Sequence, residues 1–153
     1  YIYSTMGEVI GTRDFTIEGW YYPTGGTGMF QISGTSGFGI QANATRTLAV
    51  AYHTDWLMYA NGTQHNSGVT RTLNQWYHVA LCRTGGNTKL YIDGTEVDTT
   101  ADTTDYNDTR HLAIGAYYSN SYTYQGYVQD FRVTYDLARY TSNFTPPTAE
   151  FGG

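Results

Sequence analysis

One cysteine, three prolines and eight basic residues are all that a chain of 153 residues carries of those types. The single Cys82 forbids an internal disulfide. It lies inside a strand-like run, 76–83, with no base placed beside it by the local pattern, so it reads as a small buried hydrophobe and not as a nucleophile. With a net charge of −5 and its few Lys and Arg scattered singly, the chain has no basic stripe to neutralise phosphates, which excludes nucleic acid as a partner. No apolar run reaches the length of a membrane span, and no signal peptide opens the sequence; starting on Tyr1, it reads as a processed or partial product. Helical patterning is missing too. No twelve-residue stretch avoids Gly, Pro and β-branched crowding while keeping apolar residues three and four apart, and only 136–140 leaves room for a short helical turn.

What the chain has in abundance is tyrosine (16), glycine (18) and threonine, while charged residues are only 14%. Its surface is therefore covered by neutral hydrogen-bonding groups, a character of secreted, adhesive or virion-exposed proteins. Strand signals recur throughout. In 14–22, Phe15, Ile17 and Tyr21 share one face and Thr16, Glu18 and Trp20 the other. Runs at 29–32, 38–41, 47–52 and 56–59 follow, separated by Gly, Ser, Thr and Asn turns, and 76–83 is the longest clean strand. The run 89–97 contains Asp93-Gly94, a two-residue hairpin turn tolerant of positive φ. Runs at 111–115 and 126–134 close the series. Many short strands without intervening helices predict one all-β antiparallel sandwich or barrel, spanning 1–145. The Pro146-Pro147 pair in 146–153 cannot join a central ladder and reads as an exit segment.

Four stretches carry a family resemblance. Asp14-Phe15-Thr16-Ile17-Glu18-Gly19-Trp20 is similar to the opening strand of laminin G-like, concanavalin A-like jelly-roll modules. Trp76-Tyr77-His78-Val79-Ala80 with Lys89-Leu90-Tyr91-Ile92-Asp93-Gly94-Thr95 resembles their central strand and hairpin, and 126–133 their closing strand. The ending, 138–147, resembles the variant common in phage and marine-virus structural proteins. The resemblance implies a two-sheet antiparallel β-sandwich on an extracellular or virion surface. Such modules usually begin with a further short strand carrying an Asp-Gly pair, for which Tyr1 to Ser4 leaves no room.

The same fold hosts glycoside hydrolases, which resemble one another in a Glu-x-Asp-x-x-Glu strand. Here Glu96 and Asp98 stand without the third carboxylate, Glu18 is a lone acid, and no nucleophile-elbow sequence occurs, so the chain reads as non-enzymatic. Asp102, Asp105, Asn107 and Asp108 form a loop of oxygen donors suited to calcium, and the resemblance raises that expectation, although Asp and Asn are also ordinary turn formers. His53, His65, His78 and His111 lie apart, without ligand spacing for zinc. Asn-x-Ser/Thr triplets at Asn43, Asn61, Asn107 and Asn143 are glycosylation acceptors only where the source modifies such sites.

The binding signal is aromatic. Tyr117, Tyr118, Tyr122, Tyr124 and Tyr127 crowd a segment of Ser, Asn, Thr and Gln, a mixture close to that of antibody paratopes. Tyr52 and Trp56 form a second patch. Alternation alone would bury about half of these rings as core. Two functions remain open: a module that binds glycans or a cell surface through Tyr-rich loops, and a structural subunit packing against copies of itself through the same faces and an open sheet edge.

Overall fold

The computed structural model of the chain describes residues 1–33, 46–108, 111–117 and 122–151, the Tyr117 side chain excepted. The predicted run at 38–41, the Asn43 triplet and Tyr118 lie outside the described residues. Along the chain the strands are β1 (Ile2–Thr5), β2 (Phe15–Gly26), β3 (Gly28–Ser33), β4 (Leu48–Tyr52), β5 (Trp56–Ala60), β6 (Thr63–Asn66), β7 (Tyr77–Thr84), β8 (Asn87–Ile92), β9 (Thr95–Ala101), β10 (His111–Ile114), β11 (Ala116–Tyr117) and β12 (Tyr122–Tyr135). They form two six-stranded antiparallel sheets, ordered β1-β10-β3-β4-β5-β6 and β11-β12-β2-β7-β8-β9, and no helix occurs among the described residues.

The main core lies between the sheets. Phe15, Ile17 and Tyr21 of β2, with Val79 and Leu81 of β7, meet Phe30, Ile32, Val50, Trp56 and Met58 from the opposite sheet, all fully buried. The period-2 alternation of β2 and β7 dictates this face. Hairpins set the neighbours: Asn61-Gly62, Gly85-Gly86 and Asp93-Gly94 each carry positive φ at both positions, the geometry that matches strand twist in two-residue loops. Of these, Asn61-Gly62 was read above only as part of a glycosylation triplet. It joins β5 to β6, an edge strand (Thr63-Gln64-His65-Asn66) too polar to announce itself by periodicity.

A strand opens the described fold: β1 pairs with β10 from Ile2↔Ile114 to Thr5↔His111, and it carries no Asp-Gly pair. Residues 147–150 lie beside Trp20 and Trp76. Residues beyond β12 fold back over the outer face of the second sheet, where Tyr140 and Phe144 stack at 3.6 Å and Phe144 meets Tyr91 edge-on at 5.4 Å. Thr16, Glu18, His78, Ala80, Cys82 and Tyr91, on the face that alternation assigns to solvent, are buried in consequence. The expected helical turn at 136–140 gives way to Asp136 at φ 61°, which ends β12 and starts this return. Cys82 sits there, its thiol pushed up to about 12 chiefly by burial and so held protonated.

The return is locked at Gly94. Its carbonyl accepts the Phe144 N–H at 2.9 Å, and a Cβ at this position, with φ +78°, would stand 1.8 Å from the Phe144 carbonyl oxygen. Gly94→Ala is therefore expected to cost at least about 1–2 kcal/mol in backbone strain alone. A lowered melting temperature together with faster proteolysis after residue 136 would register it; an unchanged melt would mean the return is not fastened there.

Candidate functional site

Where the returning chain crosses β2 and β12 it leaves a cleft of about 450 Å³, lined by Trp20, Trp76, Gln129, Asp130, Pro147, Thr148, Ala149 and Glu150. That volume falls within the roughly 300–1,000 Å³ of small-ligand sites. Trp20 projects outward because β2 alternates and its core face holds Ile17 and Tyr21. Register sets Trp20 between Gln129 of β12 and His78 of β7. Trp76, 41% exposed, precedes β7 and meets Tyr22 edge-on at 5.5 Å; Tyr22 in turn tilts against Tyr127, 67% exposed, at 5.9 Å. A row of rings thus runs outward from the cleft.

Asp130 stands at a β-bulge. The β12–β2 register slips between Gln129 and Arg132, and Asp130 takes φ 52°, a left-handed conformation uncommon for any residue but glycine. The slip places Asp130 in the wall of this cleft and of a smaller one between β1 and β12, and lets Arg132 realign opposite Glu18. Asp130, Gln129 and Glu150 make no side-chain hydrogen bond or ion pair to other described residues. Their hydrogen-bonding capacity is unspent.

Beneath Trp20 lies a buried polar cluster. The Glu18 carboxylate, 0% exposed, contacts His78 Nε2 at 2.9 Å and accepts from Arg132 Nε at 2.7 Å and Tyr140 Oη at 2.8 Å. Burial pushes its pKa up, but the hydrogen bonds from His78, Arg132 and Tyr140 outweigh burial and hold it below the ordinary 4.5. Glu18 is thus far from the lone solvated acid its sequence context suggests. Its cluster stiffens the cleft floor, because the Trp20 ring leans on His78 at 5.3 Å.

The residues proposed from sequence fare differently. Trp56 is 0% exposed, wedged between Tyr52 at 5.8 Å and Tyr77 at 5.3 Å as part of the core. Tyr52 is half-buried beneath the Arg71 guanidinium, 3.9 Å from its ring centre. Tyr124 packs onto the core, edge-on to Tyr21 at 5.6 Å, and its hydroxyl donates to the Tyr127 carbonyl. Tyr122 packs against the Ala49, Ala51 and Leu57 cluster, and pairs in register with Tyr117. Tyr124 is thus drawn toward the core and Tyr122 laid on the outer cluster of β4 and β5, and among the tyrosines of β12 only Tyr127 is mostly exposed.

The candidate calcium donors each have protein partners. Asp102 is 1% exposed, and its carboxylate accepts from Thr88 Oγ1, Tyr106 Oη and the Thr104 N–H. Asp105 accepts from Asn107, and Asp108 pairs with Arg46 at 3.5 Å. Among the described residues no three His, Cys, Asp or Glu side chains converge as metal ligands. Asp102 is a turn-closing acceptor inside the fold, which its spacing could not reveal. Of the acid pair on β9, Glu96 binds Lys89 Nζ at 2.8 Å and Asp98 accepts from the Thr99 N–H. Trp20 and Trp76, which line the cleft, carry a sequence signal only as an indole on the polar face of an alternating strand and another just ahead of one.

A search of curated protein sequences finds no match. Solved structures resemble the chain in fold. Domain 4 of the extracellular arabinanase AbnA from Geobacillus stearothermophilus, in complex with arabinotriose, superposes with TM-score 0.60 at 15% identity, over 84% of this chain and 61% of that one. The LG4-5 domains of mouse laminin α1 give 0.64 at 17%, over 88% and 38%. The CBM40 module of the Ruminococcus gnavus IT-sialidase gives 0.58 at 16%, over 91% and 93%, and its structure with α2,3-sialyllactose gives 0.54 at 15%, over 84% and 86%. The chain thus spans less than two thirds of the arabinanase domain and of the laminin fragment. Identities this low establish architecture alone. A family model adds sequence-level evidence across residues 1–139, and by that match and its two-sheet sandwich the chain belongs to the concanavalin A-like lectin/glucanase superfamily.

Proposed function

We propose that the chain is a non-enzymatic glycan-binding module of an extracellular or virion surface, and that the Trp20–Trp76 cleft takes the sugar. One observation carries the reading: two indoles share a small-ligand-sized cleft with an amide and two carboxylates that no other described residue engages. A pyranose ring has apolar C–H faces and a polar rim, so it needs a flat aromatic plate flanked by free acceptors and donors. Relatives of the same fold described with arabinotriose or sialyllactose support this, as does the family. Recognition without hydrolysis is favoured because Glu96 is ion-paired to Lys89 and no third carboxylate accompanies Asp98.

Trp76→Ala tests the site. Removing an aromatic anchor typically costs about 2 kcal/mol, roughly thirtyfold in affinity. Being 41% exposed, Trp76 is expected to leave the melting temperature nearly unchanged when replaced. Glycan-array capture that survives the substitution would move the site elsewhere.

A second reading is self-association, favoured by one place on the surface. A smaller cleft of about 330 Å³ opens between β1 and β12, with Ile114, Val128 and Phe131 in its walls. Beside it Tyr1, Ile2 and Tyr127 are 58%, 65% and 67% exposed. Light scattering across a concentration series separates the readings: a stable oligomer lost on Ile2→Asp supports assembly, and a monomer at all concentrations removes it.

A further inference from the structure

We propose that the Trp20–Trp76 cleft selects uncharged saccharides and rejects those bearing carboxylate or sulfate; this rests on the glycan-binding reading of the cleft. The groups offered to a ligand there are two indoles, the Gln129 amide, and the carboxylates of Asp130 and Glu150, and no Lys or Arg lines the walls. The nearest cations are already committed. Arg132 donates to Glu18 at 2.7 Å and lies 4.1 Å over the Phe151 ring, while Arg139 bonds Thr134 at 3.0 Å and sits 3.8 Å from the same Glu18 carboxylate. Both guanidiniums are drawn toward the buried acid, and among the described residues no Lys or Arg lines the cleft to meet an anionic sugar.

Carboxylates accept hydrogen bonds and donate none, so they suit hydroxyl groups, each of which supplies one O–H. Two acceptors on opposite chain segments can each fix one hydroxyl of a ring stacked on an indole. A sugar carboxylate or sulfate brought into the same space meets like charge at close range, which weakens binding on the order of tenfold or more per contact. Discrimination of this kind comes from the repulsive group as much as from the attractive ones. The placement of Asp130 is consistent with it. A left-handed bulge position is least strained with glycine, yet here it carries a carboxylate that makes no hydrogen bond or ion pair to another described residue.

Calorimetry on the full chain with two panels tests this. The uncharged panel is cellohexaose, mannohexaose, xylohexaose and maltohexaose; the anionic panel is sialyllactose, oligogalacturonate and a heparin hexasaccharide. At least one uncharged oligosaccharide is expected to bind, with affinity insensitive to salt, and every anionic one to bind at least about tenfold more weakly. Asp130→Gly is expected to keep or raise the melting temperature while losing about tenfold in affinity for the uncharged ligand. Asp130→Asn with Glu150→Gln is expected to narrow the gap between the panels. Tighter binding of an anionic oligosaccharide that disappears in Trp76→Ala overturns the selectivity and leaves the glycan-binding cleft standing. No binding in either panel overturns the cleft's glycan reading and the selectivity with it. Unchanged affinities and an unchanged gap in the Asp130 variants remove the carboxylates from recognition.

Discussion

Replacing Glu18 with alanine is expected to lower the unfolding free energy by about 3–5 kcal/mol, the range for removing one partner of a buried charged cluster. The loss is large because the carboxylate serves three groups at once. His78 Nε2, also 0% exposed, Tyr140 Oη and Arg132 Nε would lose their partner inside a face roofed by the returning chain. Each stranded donor adds a desolvation cost of about 1–3 kcal/mol unless water reaches it. Urea denaturation at neutral pH measures the change, and a value below about 1 kcal/mol would mean that water replaces the carboxylate freely. The pH dependence has a definite sign. The folded pKa of Glu18 lies below the ordinary 4.5, so its contribution is fully present above that value and is lost as pH falls through the folded one. Acid unfolding of the native chain should therefore draw partly on this group, and Glu18→Gln should flatten that limb. Because Trp20 leans on His78, the variant should also weaken ligand capture.

Trp56→Ala is expected to cost about 3–5 kcal/mol and to unfold the domain well before any effect on binding can be read. The ring is fully buried between Tyr52 and Tyr77, so truncation leaves a cavity that the flanking strands cannot collapse into without breaking their pairing. Trp76→Ala is the control: the same chemical change at a 41% exposed ring, with little effect on the melt and a large one on capture. Parallel thermal melts and glycan binding of the two variants decide between them. A Trp56 variant that folds normally and fails to bind would restore Trp56 as a contact residue.

The contrast between these tryptophans shows where sequence reading stops. Both precede or open a strand beside a turn. In β7 the pattern Tyr-His-Val-Ala-Leu-Cys carries enough alternation to phase the strand, and its core face, Val79 and Leu81, follows directly. In β5, Trp-Leu-Met-Tyr-Ala is apolar at every position, so periodicity assigns no inward face. Pairing with β4, Tyr52↔Trp56 and Val50↔Met58, turns Trp56 and Met58 into the sandwich and leaves Leu57 outside. The tyrosine segment has the same ambiguity, resolved by its pairing with β2 and β11.

Composition and local pattern were enough for the all-β sandwich, the Asp93-Gly94 hairpin and the buried Cys82. These rest on short-range physics: alternation, turn chemistry and cysteine count. The cleft could not be found that way. Its walls come from positions 20, 76, 129–130 and 147–150, and no local rule links them. Strand register sets Trp20 beside Gln129, a bulge turns Asp130, and the fold-back of the last residues, which Pro146-Pro147 made look like a departure, supplies the remaining wall. That fold-back in turn depends on burying Phe144 and Tyr140 over Tyr91, and on a carboxylate on the supposed solvent face that finds its partners only when β2, β7, β12 and the returning chain meet. Long-range apolar burial and one buried charge cluster decided the site; neither has a signature within a single stretch of sequence.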